Sequence, residues 1–123
     1  MRVTVTSFGF KHGVPRIVDL LFDARFLHNP HWEERLRPLT GLDAEVAAFV
    51  LGTPDATEFM DLTTRLLEFL VPRYAAEGKA YLTVAIGCTG GRHRSVVIAE
   101  ALALRLRELP GVEVSTRHRD IAR

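Results

Sequence analysis

The sequence predicts an α/β fold, a mostly parallel sheet with flanking helices, and three observations carry that expectation. Segments with period-two patterning, such as "RVTVTSF" and "VEVST", are separated by segments whose apolar residues recur every three or four positions. The most apolar short run, "AYLTVAIG", leads directly into a glycine-rich loop and then an amphipathic helix. Strands that alternate with helices in this way build parallel sheets covered by those helices. The 123 residues are read as one domain, 1–123, long enough to bury a core without disulfides or metal.

Taken in order, Val3 and Val5 alternate with Thr4 and Thr6 in a first strand. Gly9, Gly13 and Pro15 then mark a loop. The apolar, partly β-branched run "IVDLLFDARF" predicts a short helical turn and a second strand near Leu20 to Phe26. Asn29-Pro30 predicts a turn, in which Trp32 is expected to anchor the loop to the core rather than stack a ligand. Asp43 is placed to cap a short helix through about Val50, and Asp55 opens a longer one. Phe59, Leu62, Leu66, Phe69 and Leu70 form the expected buried stripe of that second helix. Pro72 lacks an amide hydrogen and is expected to kink or end it near Val71, with Gly78 as the final stop. After the glycine loop, Ile98, Leu102, Leu106 and Leu109 define another amphipathic helix, ended by Pro110-Gly111. "VEVST" is the last strand and "RHRDIAR" a basic tail.

Composition narrows the function classes. Apolar residues make up 47% and the formal net charge is +1, so the whole-chain field marks neither a nucleic-acid nor a membrane protein. Any electrostatic site must arise by local clustering. Arginine outnumbers lysine 14 to 2, which suits phosphate recognition but also follows from codon bias. The single cysteine excludes an internal disulfide and a cysteine-based zinc site, and fits a reducing cytoplasm. No signal peptide or membrane span is expected, nor any metal or cofactor.

The stretch "AIGCTGGRHRS", Ala85 to Ser95, concentrates the chemistry. A strand, a glycine turn and a helix start form an anion site: Gly90 and Gly91 can adopt positive φ, so that loop amides turn inward, and the helix dipole favours negative charge. Arg94 adds a bidentate contact and Ser95 a hydroxyl. A glycine turn with solvated arginines is the plainer reading. Cys88 and Arg94 also have the C-x5-R-S spacing of cysteine-dependent phosphatases, in which Cys88 would attack phosphorus and Arg94 hold its oxygens. The residue before Cys88 is glycine, where those enzymes usually have histidine, and a general acid would have to be Asp23 or Asp120. The alternative for Cys88 is a small buried residue ending the strand. His93 lies within the loop and His31 within "NPHW". Asp23 and Arg25, two apart at the end of a strand, share a face and read either as a mutual ion pair or as contacts to a sugar hydroxyl and an anion.

The segments "SFGFKHG", "FDARFLHNPHW", "LRPLTGLD", "YLTVAIGCTGGRHRSV" and "STRHRD" together resemble, in the same order, the RapZ C-terminal domain family of bacterial ribonuclease adaptors, over about Val3 to Asp120. The resemblance implies a fold like a phosphofructokinase subdomain, self-association as a dimer, sensing of glucosamine-6-phosphate and binding of small RNA. Carried onto this chain, the sugar-phosphate pocket uses His31, Thr89, Gly90, His93 and Arg94, with Asp23 and Asn29. In the short basic tail, Arg117, His118, Arg119 and Arg123 can touch RNA phosphates, where the alternative is a frayed charged terminus. Family proteins carry an N-terminal kinase-like domain with a Walker A motif. No G-x4-G-K-[ST] occurs in these 123 residues, so a kinase-like or ribonuclease partner would be separate.

Overall fold

The computed structural model describes all 123 residues. Four strands, β1 (Arg2–Gly9), β2 (Leu20–Asp23), β3 (Tyr81–Cys88) and β4 (Glu113–His118), form one sheet in the order β2-β3-β1-β4. Every pairing is parallel, so the sheet is not merely mostly so. Three helices, α1 (Ala44–Leu51), α2 (Pro54–Ala76) and α3 (Arg94–Leu106), complete the α/β architecture. α3 packs across β1, β3 and β4, while α1 and α2 pack against α3.

The period-two pattern sets which side of the sheet meets the helices. Val3 and Val5 on β1, with Leu82, Val84 and Ile86 on β3, are buried and join the core cluster. Ile98, Leu102 and Leu106 of α3, Met60, Leu67 and Val71 of α2, and Val46 and Val50 of α1 fill it from the helical side. Burying this apolar area is the main driving force of the fold. On the other face β1 and β3 carry Thr4 and Thr83, and β4 shows Ser115 and Arg117 to solvent. Near the strand ends Phe8 and Phe10 occupy that face edge-to-face, and their rings leave no room for a side chain at Gly87.

Several local expectations are corrected. β2 ends at Asp23 rather than Phe26: the Ala24 amide makes the last ladder bond, to the Gly87 carbonyl, and the chain then turns, with the Leu27 amide donating to the Ala24 carbonyl at 3.2 Å. The buried stripe of α2 is Ala56, Met60, Thr63, Thr64, Leu67 and Val71, whereas Leu62, Leu66 and Phe69 face solvent. The helix carries two stripes at helical spacing, and the threonines disguise the inner one. Thr63 satisfies its hydroxyl within the helix by donating to the Phe59 carbonyl at 2.7 Å. α2 also continues past Pro72 to Ala76. Val71 is buried and Tyr74 half-buried, so packing holds the last turn, while Arg73 Nη1 donates to the Phe69 carbonyl at 2.7 Å. Asp43 occupies the N-cap position of α1, but its carboxylate accepts from the Thr40 amide at 2.8 Å, shaping the preceding turn instead. No helix is long and apolar enough to cross a membrane.

Candidate functional site

β1 and β3 run in register from Arg2↔Tyr81 to Gly9↔Cys88, so both deliver their C-terminal ends to the same edge. Ligands of parallel α/β sheets collect at this edge. A cavity of about 530 Å³ opens there, lined by Lys11, His12, Asn29, His31, Trp32, Arg37, Cys88, Thr89, Gly90, Arg92, His93, Arg94 and Arg123. Five of these side chains carry a fixed positive charge, three are histidines, and none is a carboxylate. α3 begins at Arg94, with His93 at its N-cap, no side chain capping it and no acidic residue in its first turn.

The loop between β3 and α3 is held by close backbone approach. Gly91 alone of the pair takes positive φ, at +80°, and Gly90 does not. A Cβ on Gly91 would lie 2.5 Å from the Gly9 nitrogen, and a Cβ on Gly9 would lie 2.3 Å from the Gly90 carbonyl carbon. The two strand ends therefore meet with no side chain between them.

Arg92, His93 and Arg94 fasten this loop to its surroundings. Arg92 donates to the carbonyls of Leu39 at 3.0 Å and Pro38 at 2.5 Å, and its own carbonyl accepts from the Gly41 amide at 2.9 Å. His93 Nε2 donates to the Leu39 carbonyl at 2.7 Å, and burial pushes the His93 pKa below the ordinary imidazole value. Buried Arg94 donates through Nη1 to the carbonyls of Arg25 and Leu27, and its Nη2 lies 3.4 Å from Thr89 Oγ1. Desolvation lowers the Arg94 pKa. Arginine remains cationic after such a shift.

The structure brings Asn29, His31, Thr89, Gly90, His93 and Arg94 into one cavity, together with Cys88. Gly91 and Ser95 are buried behind it, and Ser95 Oγ accepts from the Cys88 thiol at 3.0 Å instead of facing the cavity. Asp23 and Arg25 lie outside the lining and bind each other, Arg25 Nη2 to Asp23 Oδ2 at 2.6 Å, with the guanidinium 3.8 Å over the Phe10 ring. The Arg25 hydrogen bonds hold the Asp23 carboxyl below the usual carboxylate range, and the carboxylate in turn raises the Arg25 pKa.

The basic tail is neither frayed nor uniformly free. Asp120 is fully buried; its carboxylate accepts from the Gly9 amide at 2.8 Å and from Arg119 Nη2 at 2.7 Å, and Arg123 lies 3.2 Å away. Burial opposes its ionisation, but these donors outweigh it, and the Asp120 pKa falls below its ordinary value. Arg119 also reaches the Gly13 carbonyl at 2.5 Å. His118 Nδ1 lies 2.6 Å from Ser7 Oγ, and its Nε2 donates to Glu100 at 2.8 Å. Ser7 is fully buried, so this chain ties β4 to β1 and α3 and presents no hydroxyl to solvent. Arg117 is exposed on the sheet, and Arg123 belongs to the cavity wall.

Sequence reasoning missed Lys11, His12, Arg37 and Arg92 as cavity residues. Arg92 sits inside the motif itself, and the signal for Lys11 and His12 was the pair of glycines around "FKH", which returns the chain over the strand end. Trp32 was expected to be a core anchor, yet it is 78% exposed at the cavity wall.

The sequence model of the family described as "RapZ C-terminal domain" matches residues 1–122. A nucleotide-binding protein of Rubrobacter xylanophilus is 59% identical over 98% of this chain and 41% of its own length. A nucleotide-binding protein of Corynebacterium diphtheriae is 57% identical over 98% of this chain and 40% of its own length, and one of Sorangium cellulosum is 54% identical over the whole chain and 35% of its own length. The chain thus spans about 40% of the length of these curated relatives. It belongs to the RapZ C-terminal domain family.

Proposed function

We propose that this member of the RapZ C-terminal domain family is a non-catalytic, regulatory binding domain for a small phosphorylated sugar, with an amino-sugar phosphate such as glucosamine-6-phosphate as its ligand. The observation that carries the reading is the cavity at the strand ends, where five cationic side chains and no carboxylate surround the start of α3. Helix amides and guanidinium groups together make a strong phosphate environment. In this reading Thr89, Gly90 and Arg94 hold the phosphate, while Asn29, His31 and His93 meet sugar hydroxyls. The sugar identity comes from the family resemblance. The family also extends the proposal to a dimer, to RNA, and to a kinase-like or ribonuclease partner. For RNA, Arg117 is the free tail cation.

A thermal-shift comparison tests the ligand. Glucosamine-6-phosphate should raise the melting temperature more than equal inorganic phosphate does, because a ligand that binds only the folded state stabilises it. Equal shifts would overturn the sugar-phosphate reading.

One observation favours a second reading, phosphate hydrolysis by Cys88. The thiol lines the cavity and contacts Ser95 Oγ at 3.0 Å. Against it, neither carboxyl group considered as general acid faces the cavity, since Asp23 is engaged by Arg25 and Asp120 is buried among its donors. Hydrolysis of an aryl phosphate that disappears in Cys88→Ser would establish this second reading. Absence of turnover would remove it.

A further inference from the structure

α2 carries two apolar stripes, and only one is covered. The inner stripe, with Met60, Leu67 and Val71, is buried in the core. Leu62, Leu66 and Phe69 lie on the outer side, 56%, 43% and 53% exposed. A single exposed leucine is ordinary, but residues three and four apart on a helix stand one above another, so these three form a continuous patch. Half-buried Phe59 extends it: its ring meets exposed Phe26 edge-to-face at 5.3 Å and Phe22 of β2 at 6.4 Å. Contiguous exposed apolar surface marks an interaction site. No residue of α2 lines the cavity at the strand ends.

The charges along this face say what fits it. Glu58 precedes the apolar residues by one turn and Arg73 follows them by one turn. Both are exposed, and neither pairs with an opposite charge of its own chain. Arg73 is held against the patch, its guanidinium 3.7 Å over the Phe69 ring and its Nη1 donating to the Phe69 carbonyl. From N-terminus to C-terminus the face therefore reads acidic, apolar, basic. Such an order is complementary to itself when two helices run antiparallel about a two-fold axis. With the axis beside Leu66, Leu62 of one copy lies against Phe69 of the other, and Glu58 against Arg73 of the other, at both ends. Arg65 flanks the axis, where its stem covers the apolar contact and its head stays in water.

We infer that the outer face of α2 is where two copies of this chain meet, as an antiparallel helix pair centred near Leu66. This rests on the dimer proposed above, names its surface, and is independent of the ligand. A contact made mainly by one helix a side falls at the small end of specific interfaces, below about 1,200 Å², so the pairing is reversible, with a dissociation constant on the order of tens of micromolar.

Sedimentation equilibrium of the whole chain, from about 5 to about 500 μM to bracket that constant, tests the pairing. The wild type should rise from the mass of one chain toward that of two. Leu66→Glu places like charges at the axis and should stay monomeric throughout, with an unchanged melting temperature at low concentration because the position lies in the exposed stripe. Glu58→Arg should weaken association by about fivefold or more, since two ion pairs become two repulsions, and adding Arg73→Glu should restore it. Leu66→Glu that dimerises like the wild type, or a double variant no tighter than Glu58→Arg, overturns the inference and leaves the dimer to another surface. A wild type that stays monomeric at every concentration overturns both the inference and the dimer.

Discussion

The parallel sheet has a cavity at each end of its strands, of similar size and opposite character. At the N-terminal edge about 590 Å³ lies among Met1, Arg2, Ala80, Tyr81, Gly111, Val112 and Glu113. Its one cationic side chain, Arg2, faces its one carboxylate, Glu113, at 3.3 Å in solvent. At the C-terminal edge the slightly smaller cavity gathers five cationic side chains and the start of α3, with no carboxylate among them. Volume does not separate the two; strand direction does. Each parallel strand hands its chain to a loop or helix start at the C-terminal edge, which is where amides and inward side chains converge.

Removing one carboxylate from each edge should show the largest contrast. Asp120→Ala leaves the buried Gly9 amide without its acceptor and frees two partly exposed arginines, and should cost about 2 kcal/mol or more in urea unfolding. Glu113→Ala breaks only an exposed pair and should cost less than about 1 kcal/mol. Similar losses would mean that the C-terminal edge is no more tightly built than the other.

Two glycines sharpen the same contrast. Gly91 and Gly111 have φ of +80° and +72°, so alanine is strained at both, by about 1–2 kcal/mol. At Gly111 the new Cβ meets open space, whereas at Gly91 it meets the Gly9 nitrogen at 2.5 Å and Asp120 Cβ at 2.8 Å. Gly91→Ala should therefore lower the melting temperature clearly more than Gly111→Ala. Equal effects would show that the loop yields.

A smaller effect is expected with pH. His93 is buried and favours its neutral form in the folded state, with a pKa below 6.5. As pH falls through about 6.5 the unfolded chain takes up this proton first, so stability falls on the acid side and is unchanged above it. The urea midpoint should be lower at pH 5.5 than at pH 7.5. The difference should shrink in His93→Gln, and persistence of the full difference would place its source elsewhere.

The sheet and the loop were legible in the sequence because their signals are local. Val3 and Val5 alternate with threonines, and "AIGCTGGRHRS" joins strand, turn and helix within eleven residues. What escaped depends on partners far along the chain. On α2, Leu62, Leu66 and Phe69 outweigh Thr63 and Thr64 in hydrophobicity, yet α3 receives the threonine face. Arg92 and His93 read as free loop charges until the 38–41 turn, more than fifty residues earlier, supplies the carbonyls that engage them. Asp120 looked like part of a charged tail, and its burial follows from the close meeting of Gly9 and Gly91 beside it.

Phosphate binding at the C-terminal edge is tested most directly by a single added carboxylate at each edge. Thr89 and Ala80 are both exposed, so Thr89→Glu and Ala80→Glu should fold alike. Calorimetric titration with glucosamine-6-phosphate should show binding to the wild type, unchanged within about twofold in Ala80→Glu and weakened at least about tenfold in Thr89→Glu, since a like charge beside a bound phosphate repels it. Undiminished binding in Thr89→Glu, or a loss confined to Ala80→Glu, would contradict the account.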